Sequence, residues 1–417
     1  MSNFNIDDLR LEVNPVFTTA QACLRITAEM GDEDSRRMMD QLNFTYEKPT
    51  PESVGMTQAT LDFISQRLKP GFNTIVEMRF ATINNMILKS DATNIVDLPC
   101  GYTSRGLKLA NTDLHYYGMD LPAVIDAVGP AVKELIGEND RLVYQAVDAT
   151  NYATLRGALA GASGKLFITT EGLLMYFTQA ELEEVFRNVL SLLQEFGGKW
   201  VTTDNSLIAT QNKLLSAILG DSGEDLALIE KLAAGAMSKS SHAENDFFDP
   251  EKAKDFVDRM GFDLEITPVG DYLPDTLHSL DTIPEEHREA AREILRNMDL
   301  WIMTPKAGAA EVKSHEEKNF SVQVNHIGNT LKCTLAGRLD TITAPSFLAL
   351  YKEAAQNGDI RRIEVDMKEL DYISSAGLRT LLIMKKALKD DDSFILLNMN
   401  ETVTDIMETT GFDSIFC

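Results

Sequence analysis

Between positions 94 and 204 the chain carries five short apolar runs, each closing on a carboxylate. "NIVDLPCG" ends in Asp97 and a glycine turn, "LHYYGMDL" reaches Asp120, "LVYQAVDA" reaches Asp148, "GKLFITTEG" reaches Glu171 and "GKWVTTDN" reaches Asp204. Stretches with apolar residues three and four apart, such as "QAELEEVFRNVLSLLQEF", alternate with these runs. The alternation predicts an α/β domain around an open parallel sheet. Ligands of such sheets bind outside the carboxyl ends of the strands, where the five acids gather.

Around this core, residues 1–90 read as helical, with amphipathic stretches at "TTAQACLRITAEM" and "NTIVEMRFATINNMIL". Residues 206–245 read as a helical insertion after the fifth strand, a lid of the kind that caps a pocket. "FDLEITPVGDY" and "NMDLWIMT" supply two late strands closing the sheet. Periodicity then stops at "TPKAGAAEVKSHEEK", residues 304–318, which has the composition of a solvated linker. The chain thus divides into residues 1–303, a linker, and a small domain at 319–417.

In that last segment, "FSVQVNHIGN" and "TLKCTLAGRLD" predict two strands joined by a tight turn at Gly328-Asn329. "APSFLALYKEAAQNG" predicts a helix with Pro345 in its first turn and Gly358 past its end. "RRIEVDMKEL" and "FILLNMN" predict strands, "SSAGLRTLLIMKKALKDD" and "ETVTDIMETTGF" helices, and "SIFC" a final strand. The outcome is a small sheet with helices on one face.

Composition narrows the function class. The net charge is −25, and residues from 319 onward, with 10 Lys+Arg against 14 Asp+Glu, hold only −4 of it. An acidic chain lacks the basic face that phosphate neutralisation needs, so no nucleic-acid partner is expected. Cys23, Cys100, Cys333 and Cys417 are scattered without a CxxC pair, which predicts a reduced, cytoplasmic protein. The six histidines show no metal-ligand spacing, so no metal is expected. The start "MSNFNIDDLRLEV" lacks the pattern of a signal peptide, and no apolar run is long enough to span a membrane.

The row of acids has two readings. Each one singly suits a helix N-cap. In series they suit a nucleoside-containing cofactor, with Asp120 at the end of the second strand accepting both hydroxyls of a ribose diol. Gly101 would let backbone approach that ligand closely. "DLPCGYTSRG" is not a GxGxxG loop, so a nicotinamide cofactor is not indicated.

The strand ends "YGMDLP", "AVDA" and "LFITTEGLLMYFTQAELEEVF" resemble the leucine carboxyl methyltransferase family of class I S-adenosylmethionine (SAM)-dependent methyltransferases, which includes bacterial relatives linked to polyketide O-methylation. The resemblance spans roughly residues 15–303 and implies a Rossmann-like fold and SAM as methyl donor, with S-adenosylhomocysteine (SAH) as product. It implies that Arg79 pairs with the cofactor's methionine carboxylate, that Gly101 lies by the methionine moiety, and that Arg105 follows the glycine loop. Asp120 would bind the ribose, Asp148 and the Ala149 backbone would face the adenine, and Glu171 and Tyr176 would line the pocket floor. The family's asparagine–leucine–glycine–alanine–glycine loop reads "DLPCG" here, with Pro99 and Cys100 at small-residue positions, and Asn84 stands where many relatives have an acid. A carboxylate acceptor needs no general base; a hydroxyl acceptor does, and Asp204 and Tyr176 are the candidates.

"LAGRLDTITAPSF" and "LDYISSAGLRTLL" resemble the two characteristic stretches of the STAS domain, the fold of bacterial anti-sigma factor antagonists. That resemblance implies phosphorylation at Ser375 and a partner-switching serine kinase and phosphatase. Ser374 stands where many antagonists have aspartate. Either serine also suits a plain helix N-cap. Two functions follow as expectations. One is a methyltransferase acting on a carboxyl or hydroxyl group of a small molecule or protein and governed by its STAS module. The other is a non-catalytic SAM-sensing signalling protein.

Overall fold

The computed structural model describes residues 15–44, 50, 58, 62, 64–219, 245–307, 320–355, 360–389, 393–410, 412 and 416. Helices α1 (Pro15–Glu29) and α2 (Glu33–Gln41) come first, and a π turn at Ile64–Leu68 leads into α3 (Lys69–Leu88). The alternating core follows as β1 (Asn94–Asp97), α4 (Arg105–Leu109), β2 (His115–Asp120), α5 (Pro122–Ile136), β3 (Leu142–Ala146), α6 (Tyr152–Ala158), β4 (Leu166–Thr170), α7 (Gln179–Phe196) and β5 (Gly198–Thr202). Then come α8 (Asp204–Leu219), α9 (Ala253–Arg259), β6 (Phe262–Pro268), α10 (Glu285–Arg296) and β7 (Asp299–Pro305).

These strands form one seven-stranded sheet in the order β3-β2-β1-β4-β5-β7-β6. β1 runs parallel to both β2 and β4, and β4 to β5, whereas β7 is antiparallel to β5 and β6. The chain order reverses beside β1, which creates the switch point where open α/β sheets bind their ligands. The apolar strands expected from sequence are all present, and β1 and β4 are buried along their whole length, as central parallel strands are.

Two expectations shift. The linker expected from residue 304 starts later, because Thr304 and Pro305 still pair with Asp263 and Phe262 in the β6–β7 ladder. Of the lid expected over 206–245, the first part continues α8 as far as Leu219, and 220–244 lie outside the described residues. Among the described residues no helix is long and apolar enough to cross a membrane.

The C-terminal elements are β8 (Ser321–Ile327), β9 (Thr330–Leu339), α11 (Ala344–Ala355), β10 (Arg362–Ile373), α12 (Ser375–Lys386), β11 (Ser393–Leu397) and α13 (Glu401–Thr409). They build a four-stranded sheet in the order β11-β10-β9-β8, closed by the β8–β9 hairpin through Gly328 at φ +60°. The strand expected at "SIFC" falls almost wholly outside the described residues.

The described residues group into two compact units. One comprises 1–145, 159–177 and 192–310; the other joins 146–158 and 178–191 to 311–417. In the first, Ile75, Met78 and Ile83 of α3 share a core with Ile95, Phe167 and Val201 of the sheet and with Leu214 and Ile218 of α8. Gly71 lets α3 approach α8, since a Cβ there would meet Leu215 Cδ2 at 2.8 Å. In the second, Leu331, Cys333, Ile363 and Val365 pack under Phe347, Leu381 and Val403.

Gly198 opens β5 with φ +110°, and a Cβ there would stand 1.9 Å from the Leu166 carbonyl oxygen. Gly198→Ala is expected to destabilise the first unit by on the order of 3 kcal/mol. Urea unfolding followed by tryptophan fluorescence checks this, because both tryptophans, Trp200 and Trp301, lie in this sheet.

Candidate functional site

At the carboxyl end of β1, Asp97 meets a guanidinium. Arg105, the first residue of α4, places Nη1 2.8 Å from Asp97 Oδ2 and Nη2 2.6 Å from Glu171 Oε1. Its Nε donates to Asn84 Oδ1 at 2.8 Å, so the amide that replaces the expected acid at 84 serves as a neutral acceptor. The Tyr116 hydroxyl donates to Asp97 Oδ2 at 2.8 Å, and the Phe80 ring lies against the guanidinium. Arg105 is only 1% exposed. Burial opposes its charge, and the fields of Asp97 and Glu171 more than offset that, holding it firmly protonated.

Arg79 approaches the same cluster from α3, with Nε 3.3 Å from Glu171 Oε2. Arg79 and Glu171, assigned separately by resemblance, are therefore partners. Gly172 follows at φ +75°, with the Arg79 guanidinium 3.8 Å from where its Cβ would stand. Asp204 secures this loop by accepting from the amides of Gly172, Leu173 and Leu174 at 2.6, 2.9 and 3.0 Å. Burial raises its pKa, despite those amides and the pull of Arg79. Tyr176 ends the short 3-10 turn Leu174–Tyr176, half buried.

Asp120, the last residue of β2, grips the glycine turn. Gly101 N donates to its Oδ2 at 2.7 Å and Leu121 N to its Oδ1 at 2.7 Å. Gly101 takes φ +52°, a left-handed backbone suited to glycine, and the preceding Leu98–Pro99 bond is cis. Burial is the main cause that raises the Asp120 pKa to about 6. A carboxylate offers about four lone-pair directions. Two are taken by amides, leaving room for two hydroxyl donors.

The second unit contains Asp148 and Ala149. Asp148 lies two residues past β3, and its Oδ1 accepts from Thr150 N at 2.8 Å and Thr150 Oγ1 at 2.6 Å. Its Oδ2 accepts from Thr341 N at 2.9 Å and Thr341 Oγ1 at 2.6 Å. The Ala149 carbonyl accepts from Asn188 Nδ2 at 2.9 Å. Around this contact, Asn151 Nδ2 donates to Asp340 Oδ2 at 2.8 Å, and Arg338 Nη2 donates to the Thr150 carbonyl at 2.7 Å.

The serine pair at the start of α12 divides its roles. Ser374 is the N-cap, buried, with its oxygen accepting from Gly377 N at 3.4 Å. Ser375 is the first helical residue and is exposed. Its backbone amide donates to Glu181 Oε1 at 3.0 Å. Glu181 Oε2 accepts from Thr178 N and Oγ1, both at 3.0 Å, which makes Thr178 and Glu181 the capping box of α7. "TQAE" carries that box openly in sequence, and the Asp340–Thr343 turn is legible in "DTIT". Their long-range partners are not, because no local pattern couples residue 148 to 341 or 181 to 375.

Comparison with known proteins bears first on the C-terminal domain. Residues 321–416 match the STAS domain family. BtrV of Bordetella bronchiseptica, a protein named for anti-sigma factor antagonism, is 33% identical over 98 residues, 23% of this chain and 84% of that one. An O-methyltransferase family protein from Burkholderia thailandensis aligns over 69% of this chain and 73% of its own at 13% identity and TM-score 0.33. The magnesium protoporphyrin IX methyltransferase ChlM of Synechocystis PCC 6803, solved with SAH, aligns over 67% and 97% at 9% identity and TM-score 0.34.

Removing Arg105 would leave buried Asp97 without a cation and Glu171 with Arg79 alone. Arg105→Met is expected to cost roughly 3–5 kcal/mol in urea unfolding. Arg105→Lys should not restore that loss, because one ammonium cannot span two carboxylates and an amide.

Proposed function

We propose that this chain, which belongs to the STAS-domain family through residues 321–416, is a SAM-dependent methyltransferase whose output or location its STAS module sets. The observation that carries the methyltransferase reading is Asp120. It ends β2 beside the switch point, bonded to the Gly101 turn, with two acceptor positions left for the hydroxyls of a ribose. In this reading SAM, when bound, supplies an electrophilic methyl group on a sulfonium. Asp120 holds the ribose, Gly101 admits the backbone close to the methionine moiety, and Arg79 binds the methionine carboxylate while Glu171 orients its guanidinium. Asp148 and the Ala149 backbone serve the adenine.

The remaining work is positioning and exclusion of water. With SAM bound, the chemistry it would supply is an in-line displacement, in which an acceptor oxygen would bond to the methyl carbon as the carbon–sulfur pair left on sulfur to give SAH. A carboxylate acceptor becomes a neutral ester with no proton to remove. A hydroxyl acceptor must lose its proton to a base, and Asp204 is already engaged by three amides. The site therefore suits an anionic carboxyl acceptor, on a small molecule or a protein, better than a hydroxyl. Tyr176 serves as an orienting hydroxyl.

In the STAS module, exposed Ser375 suits phosphorylation by an anti-sigma-type serine kinase. Its Oγ would form the bond to the γ-phosphorus of a nucleoside triphosphate as the bond to the bridging oxygen breaks, the hydroxyl proton passing to a base of the kinase and the nucleoside diphosphate leaving with the bonding pair. A matching phosphatase reverses the modification. In this reading the protein works in the cytoplasm beside such partners.

Calorimetric titration of SAH into the full-length chain tests the cofactor site. Micromolar binding is expected, lost in Asp120→Ala with the fold retained; unchanged affinity in that variant would place the site elsewhere. With a pKa of about 6, Asp120 is protonated as pH falls below that value and loses an acceptor. Binding should therefore weaken from pH 7.5 to 5, by up to about tenfold per unit below the apparent pKa. SAH binding without turnover on any carboxyl acceptor would favour the signalling alternative. For the module, Ser375→Asp should release a serine kinase that the wild type retains in pull-down.

A further inference from the structure

Glu181 makes two kinds of contact at once. Its Oε2 closes the capping box of α7 with Thr178, and its Oε1 accepts from Ser375 N at 3.0 Å, at the first residue of α12. Both segments lie within the second compact unit. Glu181 is 6% exposed, whereas Ser375 is exposed. A helix offers its first-turn amides to an anion, and here the chain supplies that anion itself.

The contact borders a cleft of about 280 Å³ whose lining includes Thr178, Glu181, Tyr372, Ser375, Leu378 and Thr410. Among the described residues that line it there is no basic side chain, and Glu181 is the one charged group. Arg338 stacks on the Tyr372 ring, 4.0 Å from its centroid, and gives Nη2 to the Thr150 carbonyl, so it is already engaged. A group added to Ser375 Oγ therefore has room. A phosphate would bring about −1.5 to −2 charges there. It would meet the Glu181 carboxylate with no cation to neutralise it, and would compete for the amide that Glu181 holds.

We propose that the first turn of α7 is an intrachain occupant of the STAS surface at Ser375, and that negative charge on that serine expels it. A partner that reaches for the same amide must first displace Glu181. The proposal rests on the reading of Ser375 as the modified serine, and on no cofactor site. Because the capping box ties Glu181 to Thr178, the carboxylate does not leave alone; the first turn of α7 leaves with it. The bonds of Asp148 to Thr341 share no residue with this contact and stay closed.

Hydrogen exchange of the full-length chain, followed by mass spectrometry, reads the contact. Ser375→Asp supplies the charge without a kinase, and an acid at a helix start favours the dipole, so the variant should fold. Amides of residues 178–184 are expected to exchange about tenfold faster than in the wild type, the effect of losing one charge-assisted hydrogen bond. Residues 146–151 should keep their rate. Ser375→Asn, equal in size to the acid but neutral, should leave both segments unchanged. Glu181→Gln keeps a residue that a capping box accepts. In that background Ser375→Asp should change exchange by no more than about twofold, because the repelled charge is gone. Wild-type exchange at 178–184 in Ser375→Asp overturns the proposal, as does an equal gain in Ser375→Asn, which would make bulk the cause. Release by Ser375→Asp, with no phosphoserine in the chain isolated from its own cells, supports the response to charge and overturns only the reading of Ser375 as the modified serine.

Discussion

A guanidinium with almost no access to water is the constraint from which the first unit is organised. Arg105 can remain charged only because Asp97, Glu171 and Asn84 meet it from β1, the loop after β4, and α3. Those three segments are consequently fixed against one another at the carboxyl edge of the sheet. Buried charges of this kind add little net stability but are costly to leave unpaired, so they specify an arrangement more than they strengthen it. What they specify here is the position of Arg79, whose partner Glu171 is shared with Arg105.

Carboxylates near strand ends in the sheet are the same chemical group used in different ways, and the number of donors each receives separates the uses. Asp204 accepts three amides and ties down the loop of Gly172. Asp120 accepts two and keeps capacity for a ligand. Asp148 accepts four, two of them from Thr341. Burial penalises every such charge, so each must be compensated. Compensation by the protein makes an anchor, and incomplete compensation makes a site.

Much of the fold is legible in the amino-acid pattern. The apolar runs "NIVD" and "LFITT" form central strands because buried parallel strands tolerate such continuous apolarity. "NHIGNT" predicts the β8–β9 hairpin through its glycine turn, and the structure closes it there. The serine pair in "SSAGL" resolves into a buried cap at Ser374 and an exposed neighbour at Ser375, with Gly377 needed because a Cβ would stand 2.6 Å from the Leu339 carbonyl. The end of β7 is misplaced by sequence because Thr304 and Pro305 look like linker until their ladder partners on β6 are known.

Local pattern alone thus determined most of the strands and helices, since these depend on residues a few positions apart. It also placed an acid near each of five strand ends. Which of those acids holds a loop, which remains able to take a ribose, and which is closed by Thr341 was decided only by tertiary structure. The reason is physical: the function of a buried carboxylate is set by the donors that reach it. Several of those donors arrive from segments far away in the chain, at distances that no periodicity encodes.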